Sequence, residues 1–200
     1  MSEINLSSLD PRYGAHIDKA VRAIENGNPT YAIDVCSAFL HKHPKCLEVR
    51  KILRMAHHRL PKSRRGIIPK INSTFFYLIK RLRGWFLLKH PERAMSLAEE
   101  LLRSNPHDII AYRFLARAAL CMELFETAIF AYESINTQIP DDKRNLLDLG
   151  NTYFMGKHYE EALSIGTQLL KINPSDGEAK LLLKRASVAH SIEKGVGKMT

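Results

Sequence analysis

The residues with the richest chemistry in this 200-residue chain are nine histidines and three cysteines. The densest group is His41, His43 and Cys46, with His57 and His58 further on. Zinc sites pair C-x-x-C or H-x-x-x-H elements so that the ligands converge on one ion, and neither spacing occurs here. A His-x-His near a helix end is explained by the favourable position of cations at a helix C-terminus. Cys36 and Cys121 fall at positions that helices bury, where a thiol packs as a small hydrophobe. A cysteine nucleophile also needs a base and a group to orient it, and no such set stands out. Gly-rich phosphate loops and the G-x-S-x-G elbow are absent as well. The sequence therefore predicts no catalytic residue, no metal and no cofactor: a non-enzymatic protein. An odd cysteine count without C-x-x-C suits a reducing compartment, and MSEINLSSLD has no signal-peptide character, so a cytoplasmic setting is expected.

Charge is the next informative feature. The formal net charge is +9, yet no Asp or Glu occurs from Val49 to Pro91. That window carries twelve basic residues, among them Arg50, Arg54, Lys62, Arg64, Arg65, Lys70, Lys80, Arg81 and Arg83. A block of this kind has an anionic neighbour or a solvated face. Within it, IIPKINSTFFYLIKRLRGWFLLK (67–89) is the most apolar stretch. A membrane span is excluded, because Lys80, Arg81 and Arg83 would each cost about 2.5–3.5 kcal/mol at mid-bilayer. Two alternatives stay open for the patch of Lys62, Arg64, Arg65, Lys70, Lys80 and Arg81: contact with an anionic membrane surface, or neutralisation of nucleic-acid phosphates.

What could position such groups is set by a repeat. Prolines 106, 140 and 174 are 34 residues apart, and each has an alanine twelve residues earlier: Ala94, Ala128 and Ala162. Around the prolines the sequence rhymes as SNPHD, QIPDD and INPSD. The clearest copy holds Leu149-Gly150, Tyr153, Tyr159, Ala162 and Pro174. The middle copy holds Tyr112, Leu115-Ala116, Phe125, Ala128 and Pro140, and the copy from Phe75 keeps Leu82, Trp85, Ala94 and Pro106. This pattern resembles the tetratricopeptide repeat (TPR) family. The resemblance implies an all-α, right-handed superhelical solenoid of helical hairpins. Repeats are expected at 75–108, 109–142 and 143–176, then a polar-backed capping helix over 177–194 and a tail, 195–200. A degenerate hairpin with an extra helix is expected over 1–60, carried by Ala20, Ala32 and Pro44. Residues 61–74, with two prolines and a glycine, are expected to form a basic loop. Pro44 and Pro106 are 62 residues apart, six short of two periods, and the shortfall is assigned to that loop.

In TPR arrays the first helices of successive repeats line a concave surface. Carried across position by position, the resemblance implies that Phe76, Arg83 and Phe86 face it from the first strong copy. Arg113 and Arg117 would face it from the second, Arg144, Asn151 and Phe154 from the third, and Arg185 from the capping helix. Arginine suits bidentate carboxylate capture, asparagine can hold a peptide backbone, and the three phenylalanines would take an apolar anchor. The expected function is thus a scaffold or adaptor that binds an acidic or carboxylate-bearing protein segment. Self-association through an end repeat is a further expectation. The plainer alternative has these arginines solvated or paired with acids of neighbouring repeats.

Overall fold

The computed structural model describes residues 3–60 and 89–196. The expected loop 61–74, the first helix of the 75–108 repeat, and Lys62, Arg64, Arg65, Lys70, Phe76, Lys80, Arg81, Arg83 and Phe86 lie outside the described residues. Among those residues the chain is all-helical: after a 3-10 turn, Leu6–Ser8, nine α-helices follow. They are α1 (Pro11–Glu25), α2 (Pro29–Lys42), α3 (Leu47–Arg59), α4 (Pro91–Ser104), α5 (Ile109–Cys121), α6 (Phe125–Asn136), α7 (Lys143–Met155), α8 (Tyr159–Ile172) and α9 (Gly177–Val196). Neighbouring helices pack in sequence order: α1 on α2, α2 on α3, α4 on α5, α7 on α8 and α8 on α9.

The rhyming motifs are helix boundaries. Asp108, Asp142 and Asp176 each accept backbone N–H bonds from the residues two and three further on, capping α5, α7 and α9. Before each cap the chain makes one turn type. His43, Asn105, Ile139 and Asn173 donate back to the preceding helix, at Phe39, Leu101, Ile135 and Leu169, and each then accepts from the residue three further on. A proline follows at once in all four places, where the helix has already ended. Proline also opens α1, α2 and α4, its fixed φ suiting the first helical position. Three of the other turns pass through left-handed backbone, at Gly27 (φ 78°), Glu123 (φ 58°) and Lys157 (φ 66°).

The chain divides into two compact units, Met1–Thr127 and Ala128–Thr200. In the first, Ile17, Ala20, Ile24, Ala32, Ile33, Cys36, Phe39, Leu40, Val49, Leu53 and Ala56 form one core. Ala94, Met95, Ala98 and Leu102 of α4, and Ala111, Leu115 and Ala116 of α5, are buried as well. In the second unit close approach depends on two glycines. A Cβ on Gly150 would lie 2.6 Å from Leu182 Cδ2 and 3.0 Å from Ile165 Cγ2. One on Gly166 would lie 2.7 Å from Leu183 Cγ. Lys143 Nζ reaches Asp176 Oδ2 at 2.6 Å, tying the start of α7 to that of α9. Its hydrogen bond is the main influence holding the Asp176 carboxyl below the usual carboxylate range.

Candidate functional site

The second unit brings two of the expected residues together. α7 buries Asn145, Leu146, Leu149, Gly150 and Thr152. Helical periodicity then turns Arg144, Leu147, Asn151 and Phe154 to the other side, with Arg144 exposed and the rest half-buried. α9 buries Ala179, Leu182 and Ala186 and leaves Leu181, Val188 and Ile192 exposed by 54%, 55% and 61%. Apolar residues on both sides of this helix differ from the expected polar-backed cap. The two faces meet where the Arg185 guanidinium lies over the Phe154 ring, 4.4 Å from its centroid. Phe154 is also 5.7 Å from the Tyr159 ring. Asn151 donates through Nδ2 to Leu147 O of its own helix at 3.0 Å, which leaves its carbonyl oxygen and a second N–H for other partners.

On α5, in the first unit, Ile110, Arg113, Arg117 and Leu120 form a half-buried stripe along a helix otherwise almost wholly buried. Arg113 and Arg117 therefore lie on one face, as their spacing of four requires.

The first unit also holds a cluster that sequence reasoning missed. Arg50 and Arg54, counted above in the basic block, are not surface cations: they are 0% and 4% exposed. Both bond to Glu99 of α4. Arg50 Nε donates to Oε1 at 2.7 Å and Arg54 Nη2 donates to Oε2. Arg50 Nη2 donates to Pro44 O at 2.6 Å, while its Nη1 is buried without a partner. Burial alone would push the Glu99 carboxyl up, but the Arg54 and Arg50 guanidiniums and their hydrogen bonds outweigh it and hold it below the usual range. Arg54 also lies 5.8 Å from the Tyr112 ring centroid and 3.4 Å, through Nη1, from His57 Nδ1. An arginine only donates, so Nδ1 of His57 accepts and its proton sits on Nε2. Burial and then Arg54 lower the His57 pKa to about 4, so the ring is neutral at physiological pH. The signal available in sequence was a cation at positions 50 and 54 inside the apolar run Val49, Leu53, Ala56. Its partner is 45 and 49 residues away, beyond the reach of local pattern.

Beside this cluster a cleft of about 460 Å³ opens among α2, α3 and α4. Leu40, Leu53 and Met95 are among the residues that line it, together with Arg50, Glu99 and the Arg103–Asp34 ion pair.

The cysteines offer no activated thiol among those whose shift is resolved. Burial pushes Cys36 up to about 12 and raises Cys46. Cys121, expected to be buried, is exposed at the last position of α5. No group of three or more His, Cys, Asp or Glu side chains that could hold a metal occurs among the described residues. No helix among them is long and apolar enough to cross a membrane. No protein-family model and no curated protein matches this chain.

Proposed function

We propose that this chain is a TPR-type, non-enzymatic adaptor that holds an acidic segment of a partner protein on the faces of α7 and α9. The observation that carries the reading is the Arg185–Phe154 stack. It sets a cation and an aromatic surface side by side among Leu181, Val188 and Asn151, so one ligand segment can meet charge, backbone and apolar contacts together. A guanidinium stacked on a ring is pre-oriented and loses less freedom when it takes a carboxylate. The half-buried Arg113 and Arg117 stripe offers a like surface on α5.

The repeat register supports the family reading, with one revision. Counting by 34 from Tyr13 of α1 reaches Leu47, the start of α3, and α3 touches both α4 and α5. It does so through Arg50 and Arg54 to Glu99, Arg54 to Tyr112, and His58 to His107 with ring centroids 5.5 Å apart. We read α3 and α4 as the two arms of one hairpin. Residues 61–88, 28 in number, then stand between them in sequence. The 62-residue distance from Pro44 to Pro106 is thereby one period of 34 plus those 28. On this reading the array is α1–α2, α3–α4, α5–α6 and α7–α8, closed by α9, in the right-handed solenoid of the family. The alternative, anionic-membrane or nucleic-acid association through 49–91, is weakened because Arg50 and Arg54 are held inside by Glu99.

A labelled acidic peptide containing leucines, compared with its Asn/Gln counterpart, tests the binding reading by fluorescence anisotropy. The acidic peptide is expected to bind in a salt-sensitive manner and to lose at least tenfold in affinity on Arg185→Glu with Phe154→Ala. Equal binding of both peptides, or retention by that variant with its helical circular dichroism intact, removes the assignment. A concentration-dependent dimer by sedimentation that the same variant abolishes would assign the face to a second copy instead.

A further inference from the structure

The α7–α9 face is longer on its α9 side. Counting by 34, the end of α7 at Met155 falls on Ala189, yet α9 runs on to Val196. The seven added residues carry the helix about 10 Å further. These last turns are held on α8, because His190 Nε2 and Lys194 Nζ each lie 3.4 Å from Glu160 Oε1. Ile192 stands two residues from both, which turns it to the opposite side of the helix, where it is exposed. It thereby extends the exposed row of Leu181, Arg185 and Val188, at spacings of four, three and four along about 16 Å of one helix.

The shape of this row selects the shape of its ligand. An extended segment crossing from α7 to α9 meets one or two members of the row and leaves Ile192 uncovered. A helix laid lengthwise meets all four, since its own apolar positions recur at the same spacing. Charge selects further. The exposed ionisable residues of α9 are Glu178, Lys180, Lys184, Arg185, Glu193 and Lys194, and Lys194 is taken by Glu160. On α7 and at the α9 cap, Lys143 offsets Asp176 and Arg144 offsets Asp148 in the count. Glu178 and Glu193 lie at the two ends of the row, whereas Lys184 and Arg185 stand beside its middle. Among the described residues neither of these two cations is joined to a carboxylate. Pairing of α9 with a second α9 would bring them together at the centre, a like-charge juxtaposition that opposes it.

Resting on the adaptor reading above, we infer that the partner segment is an amphipathic α-helix lying along α9. Its apolar side chains cover Leu181, Val188 and Ile192, and carboxylates in its middle turn meet Lys184 and Arg185.

Fluorescein-labelled peptides of sixteen residues test this against the full chain by anisotropy. In the first, leucines at spacings of four, three and four share one helix face with two central glutamates, and a lactam on the far side locks the helix. The second holds the same residues, unlocked and reordered so that the leucines alternate, as an extended strand requires. The third is the locked helix with its central glutamates changed to glutamine. The locked acidic helix is expected to bind at least tenfold more tightly than either of the others. Ile192→Glu, at an exposed position, should weaken it at least fivefold while the circular dichroism of the chain is kept. Equal binding of the helical and alternating peptides, or an unchanged helix affinity in Ile192→Glu, overturns the lengthwise helix and leaves the adaptor reading standing. Failure of every acidic peptide to bind removes both. Equal binding of the glutamine helix overturns the charge match, and a dimer by sedimentation that Ile192→Glu abolishes gives the row to a second copy instead.

Discussion

Replacing Glu99 by glutamine leaves the Arg50 and Arg54 guanidiniums, 0% and 4% exposed, without a counter-charge. Their desolvation is already complete in the folded chain, and the partners that remain once the carboxylate is gone, Pro44 O for Arg50 and the His57 and Tyr112 rings for Arg54, carry no counter-charge. Removing one partner of a buried ion pair costs about 3–5 kcal/mol, and here one carboxylate serves two cations, which places the expected loss in that range. For a unit of this size that corresponds to a fall in Tm of roughly 10–20 °C. The control is Asp34→Asn, which breaks the Arg103–Asp34 pair with side chains 56% and 60% exposed and should cost less than about 1 kcal/mol. Equilibrium urea unfolding, followed by circular dichroism, measures both. A second arm replaces the whole cluster by Glu99→Leu, Arg50→Met and Arg54→Leu. With every charge removed at once no ion is stranded, and most of the lost stability should return. If Glu99→Gln costs no more than Asp34→Asn, the two arginines are not held by Glu99, and the pairing of α3 with α4 loses its main support.

Other tests reach further parts of the molecule. His57, buried with a pKa of about 4 against 6.5 in the unfolded chain, gives stability that is full above pH 6.5 and falls as pH drops toward 4. The loss amounts to about 3 kcal/mol, and His57→Leu should flatten that limb of the stability–pH profile. Glu99 acts lower: its depressed pKa gives stability present above the unfolded value and lost below about pH 4.5, a limb that Glu99→Gln removes. Gly150→Ala should cost about 1–2 kcal/mol in chemical denaturation, because the clash with Leu182 and Ile165 exceeds the gain in helix propensity. Lys157→Gly should stabilise by about 0.5–1 kcal/mol, since φ 66° favours glycine after a helix end.

Helix boundaries were the most legible part of the sequence. Pro106, Pro140 and Pro174 mark turns that local chemistry alone specifies, and the aspartates two residues on cap the next helix through short-range bonds. The face containing Arg144, Asn151 and Phe154 was also readable, because helical periodicity fixes a residue's side once the helix is placed. The contact of Arg185 with Phe154 was not, since it depends on how α7 and α9 pack. Cys121 and the outer side of α9 were misjudged for a related reason. Repeat position says which residues resemble a buried slot, whereas exposure at a helix end or on a terminal helix depends on what covers it.

Arg50 and Arg54 show the limit most clearly. In an array of helical hairpins the position equivalent to Ala20 and Gly150 is normally small, so that the two arms can approach. Counting by 34 puts Arg54 at that position in α3, and a small-residue rule would reject α3 as the first arm of any hairpin. Burial of the arginine becomes affordable only through Glu99, which stands on α4 beyond the 28 intervening residues. If α3 and α4 are the two arms of one hairpin, Arg54 alone stands where the other hairpins place Ala or Gly, and its guanidinium is answered across the pair by Glu99.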